Sequence, residues 1–278
     1  MLAYPELRYL ITIETKDTQR RDPWTDLKQF TDARIAIGRT GCSILTDEYL
    51  KFSLAHARAC DTIKMPFDRQ MVRKRLEDMG LEVVFAESAA TSRDVFIRRP
   101  DLGRKLGEVS RERLKKMKYP GADVLIVIGD GLSSKAVHKQ AVPLIRNFLP
   151  YMKELGLSVG PVVLAKQSRV ALGDDIAEVM NCGLVAMLIG ERPGLSSPDS
   201  LGVYMTYKPY AGRLESERNC ISNIRPEGLS YERAAFKLAW LVEMAYDRGV
   251  SGTALKDKSD DPNEYHILKP HDTAGLLY

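Results

Sequence analysis

The residues most able to do chemistry stand directly after three apolar runs. Asp130 sits in Gly129-Asp130-Gly131-Leu132-Ser133, Arg169 in Lys166-Gln167-Ser168-Arg169-Val170, and Glu191 in Gly190-Glu191-Arg192-Pro193-Gly194-Leu195. In open α/β sheets, ligands bind beyond the carboxyl ends of the strands. If the three runs are parallel strands, their turns share one edge, and Asp130, Arg169 and Glu191 approach a common crevice. An ionised glutamate only accepts hydrogen bonds, so Glu191 would suit the amide or hydroxyl donors of a polar ligand. The plainer reading is a local pair with Arg192 in a turn fixed by Pro193.

The first turn also invites a nucleotide reading, because Gly129-x-Gly131 follows a strand and opens a helix. Ser134 stands where the third glycine belongs, and no acidic ribose partner is evident near Ala165-Lys166-Gln167. A tight turn capped by Asp or Ser fits better, and no P-loop pattern occurs. Gly38-Arg39-Thr40-Gly41 reads as a glycine turn after Ile35-Ala36-Ile37. Cys220 lies in Arg218-Asn219-Cys220-Ile221-Ser222-Asn223-Ile224, and no histidine occurs in residues 139–265 to activate it. It reads as a buried structural thiol. Cys42, Cys60, Cys182 and Cys220 are scattered without a C-x-x-C pair, and His56, His138, His266 and His271 do not join them. Neither a zinc site nor a disulfide framework is expected, and reduced thiols fit a cytoplasmic setting.

Elements must hold these turns in place. The apolar runs 123–128, 161–165 and 184–189 suit strands buried on both faces. Helical patterns at about 133–155 and 171–181 separate them, which implies βαβ units and a parallel sheet. Tyr204 and Tyr207 sit on a further strand. Residues 230–248 form a helix with Ser230 as N-cap and Gly249 as its stop. Upstream, 46–79 read as helical with a new stretch after Asp68, and Asp101 to Tyr119 as a charged helix. Residues 81–86 and Val95-Phe96-Ile97 are strand candidates. The fold class is therefore α/β, a mostly helical N-terminal part followed by a Rossmann-like parallel-sheet domain. The expected division is an arm at 1–30, a helical part at 31–120, an α/β domain at 121–254 and an irregular tail at 255–278.

Composition narrows the classes. The 278 residues are 44% hydrophobic, enough for a sizeable core. No run approaches the roughly 18 apolar residues of a membrane span. Residues 1–22 lack the apolar core of a secretory signal. The net charge of +4 is mild, and its densest stretch, Arg111 to Lys118, reads as a solvated helix face rather than a nucleic-acid footprint.

Several blocks together resemble one family. Ala33-Arg34-Ile35-Ala36-Ile37-Gly38-Arg39-Thr40-Gly41, with Phe52-Ser53-Leu54-Ala55-His56-Ala57-Arg58-Ala59, is similar to the opening of the ethanolamine ammonia-lyase small subunit. Arg99-Pro100-Asp101-Leu102-Gly103-Arg104, Gly129-Asp130-Gly131-Leu132-Ser133 and Arg169-Val170-Ala171-Leu172-Gly173-Asp174-Asp175-Ile176 continue the resemblance in order. The blocks around Glu191 and Cys220 are the most specific.

The resemblance implies a lyase that converts ethanolamine to acetaldehyde and ammonia by radical chemistry with adenosylcobalamin. The partner it implies is a large subunit, a TIM barrel carrying the substrate pocket, with the cofactor between the two. Val170, Glu191 and Cys220 match the family's cobalamin contacts. Glu191 would accept from the corrin's amide arms, Val170 would offer backbone and apolar contact, and Cys220 would pack. No catalytic residue and no metal ligand is expected in this chain, and no activity alone. No histidine fits D-x-H-x-x-G, since Lys269 stands where His271 would need Asp; the family's cofactor keeps its own lower base. The N-terminal arm shows no clear amphipathic helix addressing a bacterial microcompartment, so that address stays open within a cytoplasmic location. The competing readings are a stand-alone nucleotide-binding enzyme using Gly129–Ser133 and a non-catalytic scaffold.

Overall fold

Branched residues in unbroken runs favour strands buried on both faces, and the three apolar runs form the centre of a sheet. A computed structural model describes residues 23–31, 33–264 and 268. Its elements run α1 (Thr46–Lys64), α2 (Arg69–Glu77), β1 (Val83–Glu87), α3 (Arg93–Arg98), α4 (Glu108–Lys116), β2 (Val124–Gly129), α5 (Ser134–Glu154), β3 (Val162–Lys166), α6 (Leu172–Val179), β4 (Leu184–Gly190), β5 (Leu201–Tyr207), β6 (Asn219–Ile224) and α7 (Tyr231–Arg248). The strand order is β1-β3-β2-β4-β5-β6. The first four strands pair in parallel, and β5 and β6 are added antiparallel. The sheet is therefore mixed rather than wholly parallel. The turns after β2, β3 and β4 do share one edge.

Alternation along each strand makes two cores. Val124, Ile126 and Ile128 of β2 point to the layer of α2, α5 and α7, where Trp240 and Phe148 are the largest fully buried side chains. Leu125 and Val127 point to the layer of α4 and α6. The capping expected for α7 is present: Ser230 accepts from the Arg233 amide at 3.3 Å, and Gly249 is left-handed at φ 70°. Asp68 caps α2 by accepting from the Met71 amide at 3.0 Å.

Three expectations need correction. Val95-Phe96-Ile97 lies in α3, not a strand; Ser92 caps that helix by accepting from the Val95 amide at 3.2 Å. A three-residue apolar run has no period to separate helix from strand. The helix expected from Asp101 to Tyr119 is confined to α4, preceded by a 3-10 turn at Leu102–Arg104. Nor is Arg111 part of a merely solvated face: its Nη2 meets both oxygens of buried Asp175 at 2.6 and 2.7 Å.

Contacts within the chain fall into two units, Met1–Ala57 and Arg58–Tyr278. The first includes a 3-10 segment, Pro23–Phe30, and a turn in which Thr40 and Ser43 bridge over left-handed Gly41. This is the glycine turn read from 38–41. The second unit holds the sheet. Residue 120, the expected division, lies inside it, and β1 pairs with β3 across that point. Residues 1–22 of the expected arm, and His266 and His271 of the tail, lie outside the described residues.

Candidate functional site

The turns after β2 and β3 are packed against each other. Asp130 is 3% exposed. Its Oδ1 accepts from the Ser168 amide at 2.9 Å, and its Oδ2 from Arg93 Nη1 at 3.2 Å. Arg93 Nη1 also donates to the Gly131 carbonyl at 2.8 Å. Burial pushes the Asp130 carboxyl up, and the Ser168 amide and the Arg93 charge pull it back. Asp130 thus ties two turns together and has no oxygen turned to solvent. A Cβ on Gly131, at φ +53°, would fall 2.2 Å from the Gly190 carbonyl oxygen, so the β4 turn occupies the space above this loop. The amides of Leu132, Ser133 and Ala136 are committed to Gly190, Asp130 and the Ser133 hydroxyl. With these amides committed, the loop is the tight turn capped by Ser133, not an open cradle of amides. Arg169 lies over the Phe96 ring, its Cζ 4.4 Å from the ring centroid.

Glu191 stands apart from Asp130. Its amide donates to the Ser200 carbonyl at 3.1 Å. Its Oε2 accepts from the Ser200 hydroxyl and, at 3.4 Å, from the Asn223 amide. Among the described residues no donor is hydrogen-bonded to Oε1. That oxygen overlies β5, where a Cβ on Gly202 would fall 2.9 Å from it. The carboxylate is half-buried, oriented through one oxygen and open at the other. The expected local pair with Arg192 does not form; the partners are Ser200 and Asn223.

Cys220 is brought to the same strand from the other side. In the β5–β6 register it faces Tyr204. Cys220 is exposed, which corrects its reading as a buried thiol. No described helix covers β6 on that face, so Ile221 and Ile224 turn to the α7 core and Cys220 turns out. Neighbouring protein still displaces water from the sulfur. That desolvation raises the thiol pKa, the Tyr204 hydrogen bond lowers it in part, and the Glu191 charge raises it again. A neutral thiol without a histidine is no nucleophile. Loss of water also raises the Tyr204 phenol, with Cys220 and Glu191 adding to it. Half-buried Val170 borders the apolar layer that Tyr204 also borders. Two side chains hold this region in place. Arg218, directly before β6, donates to Asp174 Oδ2 from Nη2 at 2.5 Å and from Nε at 3.1 Å. Both are buried.

The structure thus gathers Glu191 and Cys220 around β5 and leaves Asp130 in the packing. Ser200, Tyr204 and Arg93 were missed as site residues. Tyr204 had one legible signal: in β5, Gly202, Tyr204 and Thr206 alternate with core-facing Val203 and Met205.

A family model for Ethanolamine ammonia-lyase light chain (EutC) matches residues 21–256. The chain belongs to this family. A relative from Rhodopseudomonas palustris (strain BisA53), named ethanolamine ammonia-lyase small subunit, is 47% identical over 88% of this chain and 94% of its own length. Relatives of the same name from Xanthomonas campestris pv. campestris (strain B100) and Bradyrhizobium diazoefficiens (strain JCM 10833 / BCRC 13528 / IAM 13628 / NBRC 14792 / USDA 110) are 45% and 48% identical. They cover 90% and 87% of this chain, and each aligns over 93% of its own length. No described helix is long and apolar enough to cross a membrane.

Proposed function

We propose that this chain is the small subunit of an adenosylcobalamin-dependent ethanolamine ammonia-lyase, which encloses the cofactor against a catalytic large subunit. The observation that carries this reading is Glu191: one oxygen is fixed by Ser200 and Asn223, and the other is open above Gly202. A corrin presents amide side arms and an extended apolar surface. An acceptor-only carboxylate near Tyr204 and Cys220 fits that donor set. When bound, the cofactor supplies the radical chemistry that turns ethanolamine into acetaldehyde and ammonia.

The chain's own residues do the holding. Glu191 accepts from an amide arm. Ser200 and Asn223 keep its oxygen aimed, and Arg218 with Asp174 keeps β6, and so Cys220, in place. Val170 and Tyr204 offer apolar surface that excludes water. None of these groups activates substrate, so catalysis falls to the partner. Exposed apolar side chains in the first unit, Trp24, Leu27, Phe30, Tyr49, Leu50, Phe52 and Leu54, are of the kind a partner chain covers. The proposed location is the cytoplasm, free or within a bacterial microcompartment.

Glu191→Ala tests the reading. In the complex with a large subunit, hydroxocobalamin affinity measured by equilibrium dialysis should fall roughly tenfold or more, the scale of one lost charged hydrogen bond. Unchanged affinity would remove Glu191 from the cofactor site.

A further inference from the structure

Two guanidiniums flank one phenyl ring at the edge formed by the ends of β2 and β3. Arg93 Cζ lies 4.8 Å and Arg169 Cζ 4.4 Å from the centroid of Phe96, whose side chain is fully buried. Phe96 therefore fixes both cations on a rigid support. Exposed Arg104 adds a third positive charge near Arg169. Among the described residues, one carboxylate, Asp130, acts on the pair, and both its oxygens already accept hydrogen bonds. Burial lowers the pKa of Arg93 and Arg169, and for Arg169 repulsion from Arg104 and Arg93 lowers it further.

The hydrogen bonds are also incomplete. Arg93 Nε donates to the Ile63 carbonyl at 2.9 Å and Nη1 to Asp130 and Gly131, yet buried Nη2 has no partner among the described residues. Arg169 Nη2 donates to the Phe96 carbonyl at 3.4 Å, and its buried Nε has none. A buried donor left unpaired is costly, and more so on a charged group. The pair keeps a route to solvent, since 21% of the Arg93 side chain is exposed. Unmatched positive charge, orphaned N–H groups and planar forks on a rigid support call for an external oxyanion.

We propose that Arg93 and Arg169, with Arg104 at the rim, form a binding site for a phosphate-class oxyanion. Two sources share this chemistry: free phosphate, or the phosphodiester in the nucleotide loop of the cofactor. The second source rests on the function proposed above; the anion site itself does not. Arg169 directly precedes Val170, so an occupant here sits at the same sheet edge as the proposed cofactor contacts.

The test has two arms. Inorganic phosphate is titrated into the full chain by calorimetry at low ionic strength, for wild type and Arg169→Gln. The complex with the large subunit is then dialysed against hydroxocobalamin and, separately, against cobinamide, which lacks the phosphate. Phosphate binding that weakens roughly tenfold or more in the variant supports the site. If cobalamin affinity falls equally while cobinamide affinity holds, the source is the cofactor; if cobalamin affinity holds, it is free phosphate. Wild-type complex that takes up phosphate but no cobalamin would sink the proposed function and leave the anion site standing. No phosphate binding, together with equal loss or no loss for cobalamin and cobinamide, would overturn the site. So would loss of large-subunit binding alone, which would assign the arginines to a partner carboxylate. Should Arg169→Gln fail to fold, Arg104→Gln at the exposed rim carries the same comparison with a smaller loss.

Discussion

On one face of the sheet, side chains from all six strands enter a core closed by α2, α5 and α7; on the other, α4 and α6 close over the parallel strands alone. There β5 contributes only half-buried Tyr204, and β6 contributes nothing to the apolar layer. The closed face ends in Trp240 and Phe148, fully packed. The open part ends in Cys220, Tyr204 and the Glu191 oxygen that accepts no hydrogen bond among the described residues. A face that is filled stabilises the fold; a face that leaves Tyr204 half-buried and Cys220 exposed offers surface to something else. The open part is not loosely built, because Arg218 and Asp174 form a buried ion pair beneath it.

This contrast makes graded predictions. Trp240→Ala should be the most damaging, at about 3–5 kcal/mol in urea unfolding, because it empties the closed face; a loss under about 1 kcal/mol would mean that face is not the main core. Asp174→Ala should cost about 3 kcal/mol by leaving buried Arg218 with exposed Glu215 as its remaining charge partner. It should also weaken cofactor binding, since β6 loses its anchor, and an unfolding loss without any binding loss would separate the pair from the open face. Cys220 should alkylate with an inflection above pH 9.0, read by peptide mass spectrometry, because its thiol is raised from that value. An inflection near neutrality would make it a reactive cysteine after all. The smallest effect concerns His138 on the closed side. Its Nε2 accepts from the Asp68 amide at 2.9 Å, which needs the neutral ring, and burial lowers its pKa below 6.5. The unfolded chain then binds the proton more readily, so this contribution is whole above pH 6.5 and fades as pH falls below it. His138→Gln should flatten the drop in melting temperature between pH 7.5 and 5.5; an equal drop in both proteins would contradict that.

The closed face was the more legible half. Its strands are unbroken apolar runs, and Ser230, Gly249 and Asp68 mark helix ends by local chemistry that a sequence displays. The open half depends on partners distant in the chain. β6 reads polar and apolar without clean alternation, its pairing to β5 slips between Leu201 and Val203, and nothing local announces that it runs antiparallel. The same holds for the turns. Residue types singled out both Asp130 and Glu191, yet only packing decides that Ser168 and Arg93 consume the first and that the second keeps an open oxygen. Glu191 was marked by its place after an apolar run, whereas the roles given to Val170, Glu191 and Cys220 came from family resemblance; Ser200 and Tyr204, which surround Glu191 and Cys220, came from the fold.

The most direct measurement is reconstitution. The chain is expressed with and without a large subunit of the same enzyme, and acetaldehyde release from ethanolamine is assayed with added adenosylcobalamin. Activity only when both chains are present is the predicted result. Activity from this chain alone, or none from a stable complex with a competent large subunit, would contradict the account.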